Sequence, residues 1–290
     1  MPRRITTTLL LTLTALMPLA SCSSDLTSET DFQKDATRTI QFAISPYESA
    51  AFRSAASEAF SQLSFALFPT NDTIASIEVV QDEADNDFGT ISAEIPFGSY
   101  ELVIVGHNGE SAATIASTER VEFPNNRVTD SFCHYQTLSI SESTPAVLSI
   151  ELKRCVAKFE AVATDAIPEW ATKMNFVATG GGVALNAKTG LACEVSTQDK
   201  TSNIPASFAG KTGKFFSLYS FLPAKDAAMS ITLNAIDANG NTRLTHTFTD
   251  VPMAVNQITR YTGELFRTSV NANGSITADT EWNAVNEYTF

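Results

Sequence analysis

Short segments in which apolar and polar residues alternate recur through both halves of the chain. Thr39–Ile44, Leu63–Leu67 and Ile91–Ile95 are examples from the first half. Successive side chains of a β-strand point to opposite faces of the sheet, so this period of two predicts strands with one buried face. Many short strands separated by turns predict an all-β protein built from antiparallel β-sandwiches.

Asn-Gly pairs that begin at Asn108, Asn239 and Asn273 add a second β signal. This dipeptide readily adopts the positive φ angles of tight hairpin turns. The clearest case is the hairpin predicted for Ser230–Ile236 and Thr242–Thr249, with the turn between them.

Two stretches depart from the β pattern. Apolar residues between Phe52 and Leu63 recur at helical spacing in an Ala-rich segment, which predicts a short helix there. The segment Asp165–Lys173, with Pro168 and Trp170, predicts a short helical turn over the end of a sheet. Its tryptophan is expected in core or interdomain packing.

The N-terminal segment has the features of an export signal. Arg3 and Arg4 precede the apolar run Leu9–Ala20, which is too short to span a bilayer as a stable helix. No second long apolar run follows it. The sequence therefore predicts that residues 1–21 are a removable signal peptide.

The segment Leu19-Ala20-Ser21-Cys22 resembles the lipobox of bacterial lipoproteins, in which a branched apolar residue and two small residues precede the cysteine. The resemblance implies cleavage between Ser21 and Cys22, and lipid attachment to Cys22. Each methylene group of an acyl chain that enters the membrane contributes about 0.8 kcal/mol of binding free energy. Two or more acyl chains on one cysteine are therefore enough for stable attachment to a membrane.

The mature chain is long enough for about two domains of ~100 to 200 residues each. Residues 22–36 are small and acidic, which is typical of a flexible tether. We expect an N-terminal β-sandwich domain at residues 37–153 and a C-terminal one at residues 154–290.

The balance of charges is acidic. The chain has 19 Lys and Arg against 32 Asp and Glu, a net charge of −13. Removal of residues 1–21 takes away two arginines and no acid, which brings the net charge to −15. An acidic surface argues against nucleic acid and anionic lipid headgroups as partners.

Three cysteines remain once Cys22 carries lipid: Cys133, Cys155 and Cys193. At most one disulfide can form among them. The favoured interpretation is that all three are small apolar residues in strands, because no metal-like or redox-like spacing pairs them. If a bridge exists, Cys133 to Cys155 is the first candidate.

The sequence carries no recognisable catalytic or cofactor-binding motif. His107, His134 and His246 are isolated, and neither a Gly-x-Ser-x-Gly nor a Ser-x-x-Lys motif is present. Gly180–Gly182 lacks the Lys-Ser/Thr pair of a phosphate-binding loop and is more typical of a loop or bulge. We therefore expect no enzyme activity, no cofactor and no metal.

One acidic segment echoes a calcium-binding loop in its spacing. Gly89, however, falls one residue late for the turn that such a loop requires, and Ile91–Ile95 alternates like a strand. A solvated acidic hairpin loop is the favoured interpretation. The acidic residues concerned are Glu83, Asp85, Asp87 and Glu94.

Four segments resemble a known family in their order and spacing. Pro96–Gly106 resembles the Pro-x-Gly-x-Tyr turn and strand of transthyretin-like β-sandwiches. Leu152–Phe159, Phe215–Pro223 and Asn256–Phe266 are similar to segments of Bacteroidales fimbrillins. Together with the lipobox, they resemble the FimB/Mfa2-like fimbrial subunits of the fimbrillin superfamily.

This resemblance implies two tandem transthyretin-like β-sandwich domains in a type V pilus lipoprotein of the outer membrane. Such subunits anchor or build fimbriae, bind other fimbrial subunits by donor-strand exchange, and support adhesion and biofilm formation. Polymerising subunits lose their first strand to an arginine-specific proteinase, whereas anchor subunits keep it.

In this chain the strand concerned is Thr39–Ile44, and Arg38 or Arg53 would be the cleavage point. The competing and favoured interpretation makes Arg38 a tether residue and Arg53 a solvated helix residue. An uncleaved anchor or minor structural subunit is therefore expected, while its position at base, shaft or tip and its receptor stay open. The apolar tail, Ile276–Phe290, is expected to form a final strand rather than to contact the next subunit.

The alternative is a surface glycan-binding lipoprotein of a carbohydrate uptake system. Such a protein needs exposed aromatic platforms. Neither tryptophan, Trp170 or Trp282, is flanked by a polar binding pattern.

Overall fold

The computed structural model describes residues 36–46, 59–267, 273–277 and 284–289. These residues form twenty strands and two single-turn 3-10 helices, Pro124–Asn126 and Ala206–Phe208. The first nine strands are β1 (Thr37–Pro46), β2 (Gln62–Pro69), β3 (Ile77–Asp82), β4 (Thr90–Pro96), β5 (Gly98–His107), β6 (Thr114–Ser117), β7 (Arg120–Glu122), β8 (Ser131–Ile140) and β9 (Val147–Arg154). The others are β10 (Ala157–Ala163), β11 (Lys173–Thr179), β12 (Leu185–Asn186), β13 (Leu191–Ala192), β14 (Gln198–Asn203), β15 (Lys214–Ser220), β16 (Asp226–Ile236), β17 (Thr242–Ala254), β18 (Gln257–Gly263), β19 (Asn273–Thr277) and β20 (Ala284–Thr289). The predicted all-β class is confirmed.

The first half forms a sandwich from one seven-stranded sheet in the order β3-β2-β5-β8-β9-β1-β4. Only two residue pairs join β8 to β9, so the sheet divides there into two parts. Their facing sides share one apolar core, which includes Phe42 of β1 and Phe65 of β2. Each part thereby removes one face of the other from water.

A small sheet in the order β13-β12-β7-β6 combines strands from both halves of the chain, through the pair Leu185 and Val121. It covers the second face of β2 and β5, where Phe68 and Val105 belong to its core. Residues 63–68 are therefore buried without interruption. The expectation of one buried face for this strand is wrong, because the small sheet packs on its other side.

The second half forms another sandwich. A five-stranded sheet, β15-β10-β18-β20-β19, faces a four-stranded sheet, β14-β11-β16-β17. Phe159 of β10 lies at the centre of its core, with ring contacts to Phe176, Phe248 and Tyr261. The two sandwiches thus have separate cores, while the division of the chain into domains at residues 153 and 154 stays a prediction.

The C-terminal strand pairs in parallel with β18, and the ring of Tyr288 stacks on Tyr261 with centroids 4.6 Å apart. The prediction of a final strand is confirmed for residues 284–289. Trp282 and Phe290 lie outside the described residues.

The predicted hairpin is confirmed as β16 and β17. Gly240 takes φ of 85°, and the Asp237 carboxylate accepts hydrogen bonds from the amides of Asn239 and Asn241. The turn prediction at Asn273 is wrong, since this residue begins β19. The Asn108-Gly109 pair follows β5, whose sheet partners are β2 and β8, and so belongs to a loop between non-paired strands.

The helix predicted between residues 52 and 63 lies mostly outside the described residues. Its last residue, Leu63, belongs to β2. Phe60 is buried against Gly106, where a β-carbon would stand 2.7 Å from the ring. The glycine is therefore required by the close approach of this aromatic side chain.

The segment predicted as a helical turn contains one turn, closed by a hydrogen bond from the Ala171 amide to the Pro168 carbonyl. Trp170 is half-buried beside the second core, with its ring 6.3 Å from that of Phe266. The expected packing role of this tryptophan is confirmed.

Candidate functional site

The candidate site is the position that β1 occupies between β4 and β9 in the first sandwich. β1 pairs antiparallel with β4, from Thr37 opposite Pro96 to Ala43 opposite Thr90. It pairs in parallel with β9, from Gln41 opposite Val147 to Pro46 opposite Leu152. β1 is therefore an interior strand that separates two others, and its place is a slot with backbone partners on both sides.

The core-facing side chains of β1 are Ile40, Phe42 and Ile44. They are 0%, 0% and 6% exposed, respectively. Burial of such a side chain contributes about 1.5–3 kcal/mol relative to exposure in water. The slot is thus a row of apolar pockets, floored by residues such as Phe65 and Leu102 of the opposite sheet part.

Contacts beyond the regular ladder hold both ends of β1. The Thr37 hydroxyl donates to the Glu94 carboxylate over 2.5 Å, and the Phe97 amide donates to the Ala36 carbonyl over 2.9 Å. Further along, the amide of Ile44 donates to the Gly89 carbonyl over 2.8 Å.

The candidate cleavage residues differ in their relation to this strand. Arg38 lies inside β1 and is paired with Ile95 of β4. The expectation that Arg38 is a tether residue is therefore wrong. Cleavage after Arg38 would leave Thr39–Pro46 in place, whereas cleavage after Arg53 would separate all of β1 from the rest of the chain. Arg53 itself lies outside the described residues, as do Ser21 and Cys22.

The acidic loop lies between β3 and β4, directly beside the slot. The side chain of Gln81 organises it, because its amide donates to the carbonyls of Asp87 and Thr90 and its oxygen accepts from the Gly89 amide. Asp85 accepts a hydrogen bond from the Asp82 amide. The loop is a self-contained turn with Gly89 at φ of 84°, and its acidic residues Glu83, Asp85 and Asp87 are exposed, as expected of a solvated loop. It is not a hairpin loop, because β3 and β4 lie at opposite edges of the seven-stranded sheet.

The three histidines make structural contacts. His107 is fully buried, and burial lowers its pKa to about 4. The ring of His134 contacts the Glu151 carbonyl and the Gln136 side chain, and Nε2 of His246 lies 2.8 Å from the Leu265 carbonyl oxygen. Within the described ranges, no group of three or more potential metal ligands lies together.

The three thiols are free. Cys133 and Cys155 are buried in the core shared by the halves, where burial raises the pKa of the Cys155 thiol and Cys133 is its neighbour. The Cys155 thiol donates to the Ser131 carbonyl, and the half-exposed Cys193 thiol donates to the Glu119 carbonyl. The interpretation as a small buried residue in a strand is confirmed for Cys133, which belongs to β8. It is wrong in part for Cys155, which is buried but lies between β9 and β10, and for Cys193, which is partly exposed and follows β13.

The backbone of Gly180–Gly182 packs closely against neighbouring segments of the chain, which leaves no room for side chains at these glycines. Gly182 makes an isolated bridge with Phe221, and a β-carbon on Gly181 would stand 2.0 Å from the Ser220 hydroxyl. The glycines are therefore explained by packing, in agreement with the predicted loop or bulge.

Comparison with known proteins identifies the family. The model of a family of unknown function, DUF6562, matches residues 108–288, more than half of the chain. The chain belongs to this family. No curated protein sequence matches this DUF6562 member.

Solved structures show what this DUF6562 member is similar to in fold. A candidate adhesin from Bacteroides ovatus has a TM-score of 0.50 and 14% identity, over 80% of this chain and 87% of the other. The fimbrial anchor protein Mfa2 from Porphyromonas gingivalis has a TM-score of 0.36 and 11% identity, over 73% and 82% of the two chains. A fimbrial assembly protein from Parabacteroides distasonis has a TM-score of 0.39 and 10% identity, over 74% and 86%. The similarity to the Bacteroides ovatus protein shows that this chain shares its fold.

Sequence reasoning located β1 but missed its neighbours. Nothing in the local pattern indicates that β9, about a hundred residues away, pairs with β1 in parallel.

Among the residues that the structure describes, no helix has the length and apolar character to cross a membrane.

Proposed function

We propose that this chain is a lipid-anchored subunit of type V fimbriae, which acts as an anchor or minor structural subunit at the outer-membrane surface. It would bind other fimbrial subunits by donor-strand exchange and support adhesion and biofilm formation. The fimbrial and adhesin-type proteins that share its fold support this proposal.

The observation that carries the proposal is the slot that β1 fills between β4 and β9. Strand addition requires a slot with free backbone groups on its walls and pockets for alternate side chains. In a copy that has lost β1, its position would meet both requirements, because the flanking strands β4 and β9 would have unpaired backbone groups and the pockets of Ile40, Phe42 and Ile44 would be empty. We regard residues 37–153 and 154–290 as tandem sandwich domains, of which the first contains this slot.

The anchor role rests on the retention of β1, which keeps the slot filled by the chain's own strand, so only a copy without β1 would accept a donor strand there. The Arg38 backbone is paired with Ile95, and a protease must draw a substrate out of its ladder before cleavage. Cys22, at the end of the lipobox, would carry the lipid, and residues 22–36 would tether the sandwich to the membrane.

The glycan-uptake alternative receives less support. The half-buried Trp170 packs against Phe266, and the Arg243 guanidinium lies 5.4 Å from its ring. It is therefore not an open platform for a sugar. Trp282 lies outside the described residues.

The direct test is deletion of the chromosomal gene, followed by measurement of fimbrial length and of cell attachment. Complementation with the wild-type chain should restore both, and complementation with Cys22→Ser should not. The proposal is falsified if deletion changes neither property and the purified mature protein binds no fimbrial subunit.

A further inference from the structure

A cleft of about 440 Å³ lies between loops of the first half and edge strands of the second. Residues 108–110 and 124–129 form one wall, and residues 198–201 with 218–219 form the other. The volume is within the range of about 300–1,000 Å³ that is typical of small-molecule sites. No residue of β1 lines it, so the cleft is separate from the strand slot.

Lys200 is a partly buried cation in this cleft. It belongs to β14, an edge strand, and its ammonium group donates to the Ser217 carbonyl of β15 over 3.0 Å. Its pKa is lowered to about 8, first by burial and then by the positive charges of Arg127 and Lys158. In the part of the chain that the structure describes, its ammonium group makes no ion pair with a carboxylate.

Two acidic residues, Asp199 and Glu110, also line the cleft. Asp199 alternates with Lys200 along β14, and its carboxylate accepts a hydrogen bond from the Asn175 amide over 2.6 Å. Glu110 reaches Arg127 only at 4.0 Å, and 84% of the Glu110 side chain is exposed. An ion pair of this kind contributes little. The formal charge of the lining therefore sums to zero, but Lys200 has no carboxylate partner among the described residues and the single ion pair of Arg127 is long and exposed, so both cations can bind a further acceptor.

The rest of the lining is polar and suits a hydroxylated ligand. The side chains of Asn125 and Asn126 stand exposed on the loop that carries Arg127. Amides donate and accept hydrogen bonds, as sugar hydroxyls do. Leu218 and the half-buried Tyr219 of β15 belong to the opposite wall.

We propose that this cleft binds a saccharide that bears a carboxylate, of the uronic or sialic acid type. The carboxylate lies between Lys200 and Arg127, and the hydroxyl groups bind the loop amides. A guanidinium group binds carboxylates through paired hydrogen bonds, which neutral sugars do not offer. This inference concerns recognition of a ligand and does not depend on fimbrial assembly.

The test is calorimetric titration of the intact mature chain with acidic saccharides and their neutral counterparts. Sialyllactose is compared with lactose, and oligogalacturonate with its methyl ester. We expect at least one acidic member to bind about tenfold or more tightly than its neutral partner, because a charged hydrogen-bonded contact is lost in the latter. Lys200→Gln and Arg127→Gln should each weaken that binding about tenfold.

The matched control is Lys173→Gln, which removes one exposed lysine from the neighbouring strand β11 and should leave binding unchanged. If Lys200→Gln does not fold, Arg127→Gln on the exposed loop carries the test alone. The inference is overturned if neither acidic saccharide binds, or if the neutral saccharides bind equally well. It is also overturned if both variants bind like the wild type, or if inorganic phosphate competes at the same concentration as the saccharide.

Discussion

The ring of Phe42 in β1 meets the ring of Phe65 in β2 at a centroid distance of 5.0 Å and an interplanar angle of 60°. This edge-on contact joins the two parts of the first sheet across their common core. Such aromatic pairs contribute about 0.5–1.5 kcal/mol beyond the burial of their surface. β1 is therefore a part of the core and not a loosely attached terminal strand.

Replacement of Phe42 should be strongly destabilising. Phe42→Ala removes a fully buried ring and leaves a cavity, so we expect the free energy of unfolding to fall by about 3–5 kcal/mol. Denaturant unfolding of the purified mature protein measures this change. Gln41→Ala, which alters the exposed neighbour on the same strand, is the control and should change it by about 0.5 kcal/mol or less. A loss below about 1 kcal/mol for Phe42→Ala would contradict the packing described for β1.

The slot should accept a strand in trans. A chain that begins after Arg53 lacks β1, and we expect it to bind a labelled peptide of sequence Thr37–Pro46, as measured by fluorescence anisotropy. Phe42→Asp in the peptide should abolish binding, because a carboxylate would be buried without a partner. Gln41→Asp adds the same charge on the exposed face and should retain binding. Equal affinity of both variant peptides would show that the core-facing side chains do not direct the exchange.

Lipid attachment should depend on one cysteine. Cys22→Ser should abolish incorporation of labelled palmitate in cells and release the protein from the membrane fraction, because Cys22 is the cysteine of the lipobox to which we expect the acyl chains to be attached. Cys193→Ser changes a half-exposed thiol in the second half and should leave both properties intact. Mass spectrometry of the mature N-terminus provides an independent measurement. An N-terminus after Arg38 or Arg53 would instead indicate proteolytic maturation.

Stability should decrease in mild acid because of His107. Burial lowers the pKa of this residue from 6.5 to about 4, so the unfolded chain binds more protons between these two values. The contribution of the neutral ring is fully present above about pH 6.5 and is lost as the pH falls to about 4, a loss of about 3 kcal/mol. Unfolding free energies of wild type and His107→Gln at several pH values test this. If both proteins lose stability in parallel across this window, the prediction is wrong.

The close approach of Gly181 to Ser220 should tolerate no side chain at position 181. Gly181→Ala would place its β-carbon 2.0 Å from the Ser220 hydroxyl oxygen, and we expect a loss of about 1–3 kcal/mol from the forced displacement. Gly210→Ala is the comparison, since its surroundings are open and only its φ of +71° opposes the change. Ser220→Ala should recover part of the loss in the Gly181→Ala background. An absence of recovery would place the strain elsewhere.

The sequence alone predicted those elements whose partners are close in the chain. The β16 and β17 hairpin follows from two alternating runs around one Asn-Gly pair, because both strands and their turn are contiguous. The all-β class was predicted in the same way, because the alternation of apolar and polar residues reflects the geometry of each strand by itself. The weakness of this local rule appeared at Asn273, where the same dipeptide begins a strand.

Tertiary structure decided every feature that depends on distant partners. The parallel pairing of β1 with β9, the burial of β2 on both faces and the meeting of Arg127 with Lys200 in one cleft leave no local trace in the sequence. A residue pattern specifies which face of a strand avoids water. The surface that covers this face is chosen by packing among segments brought together from all along the chain, which the pattern of any one segment does not encode.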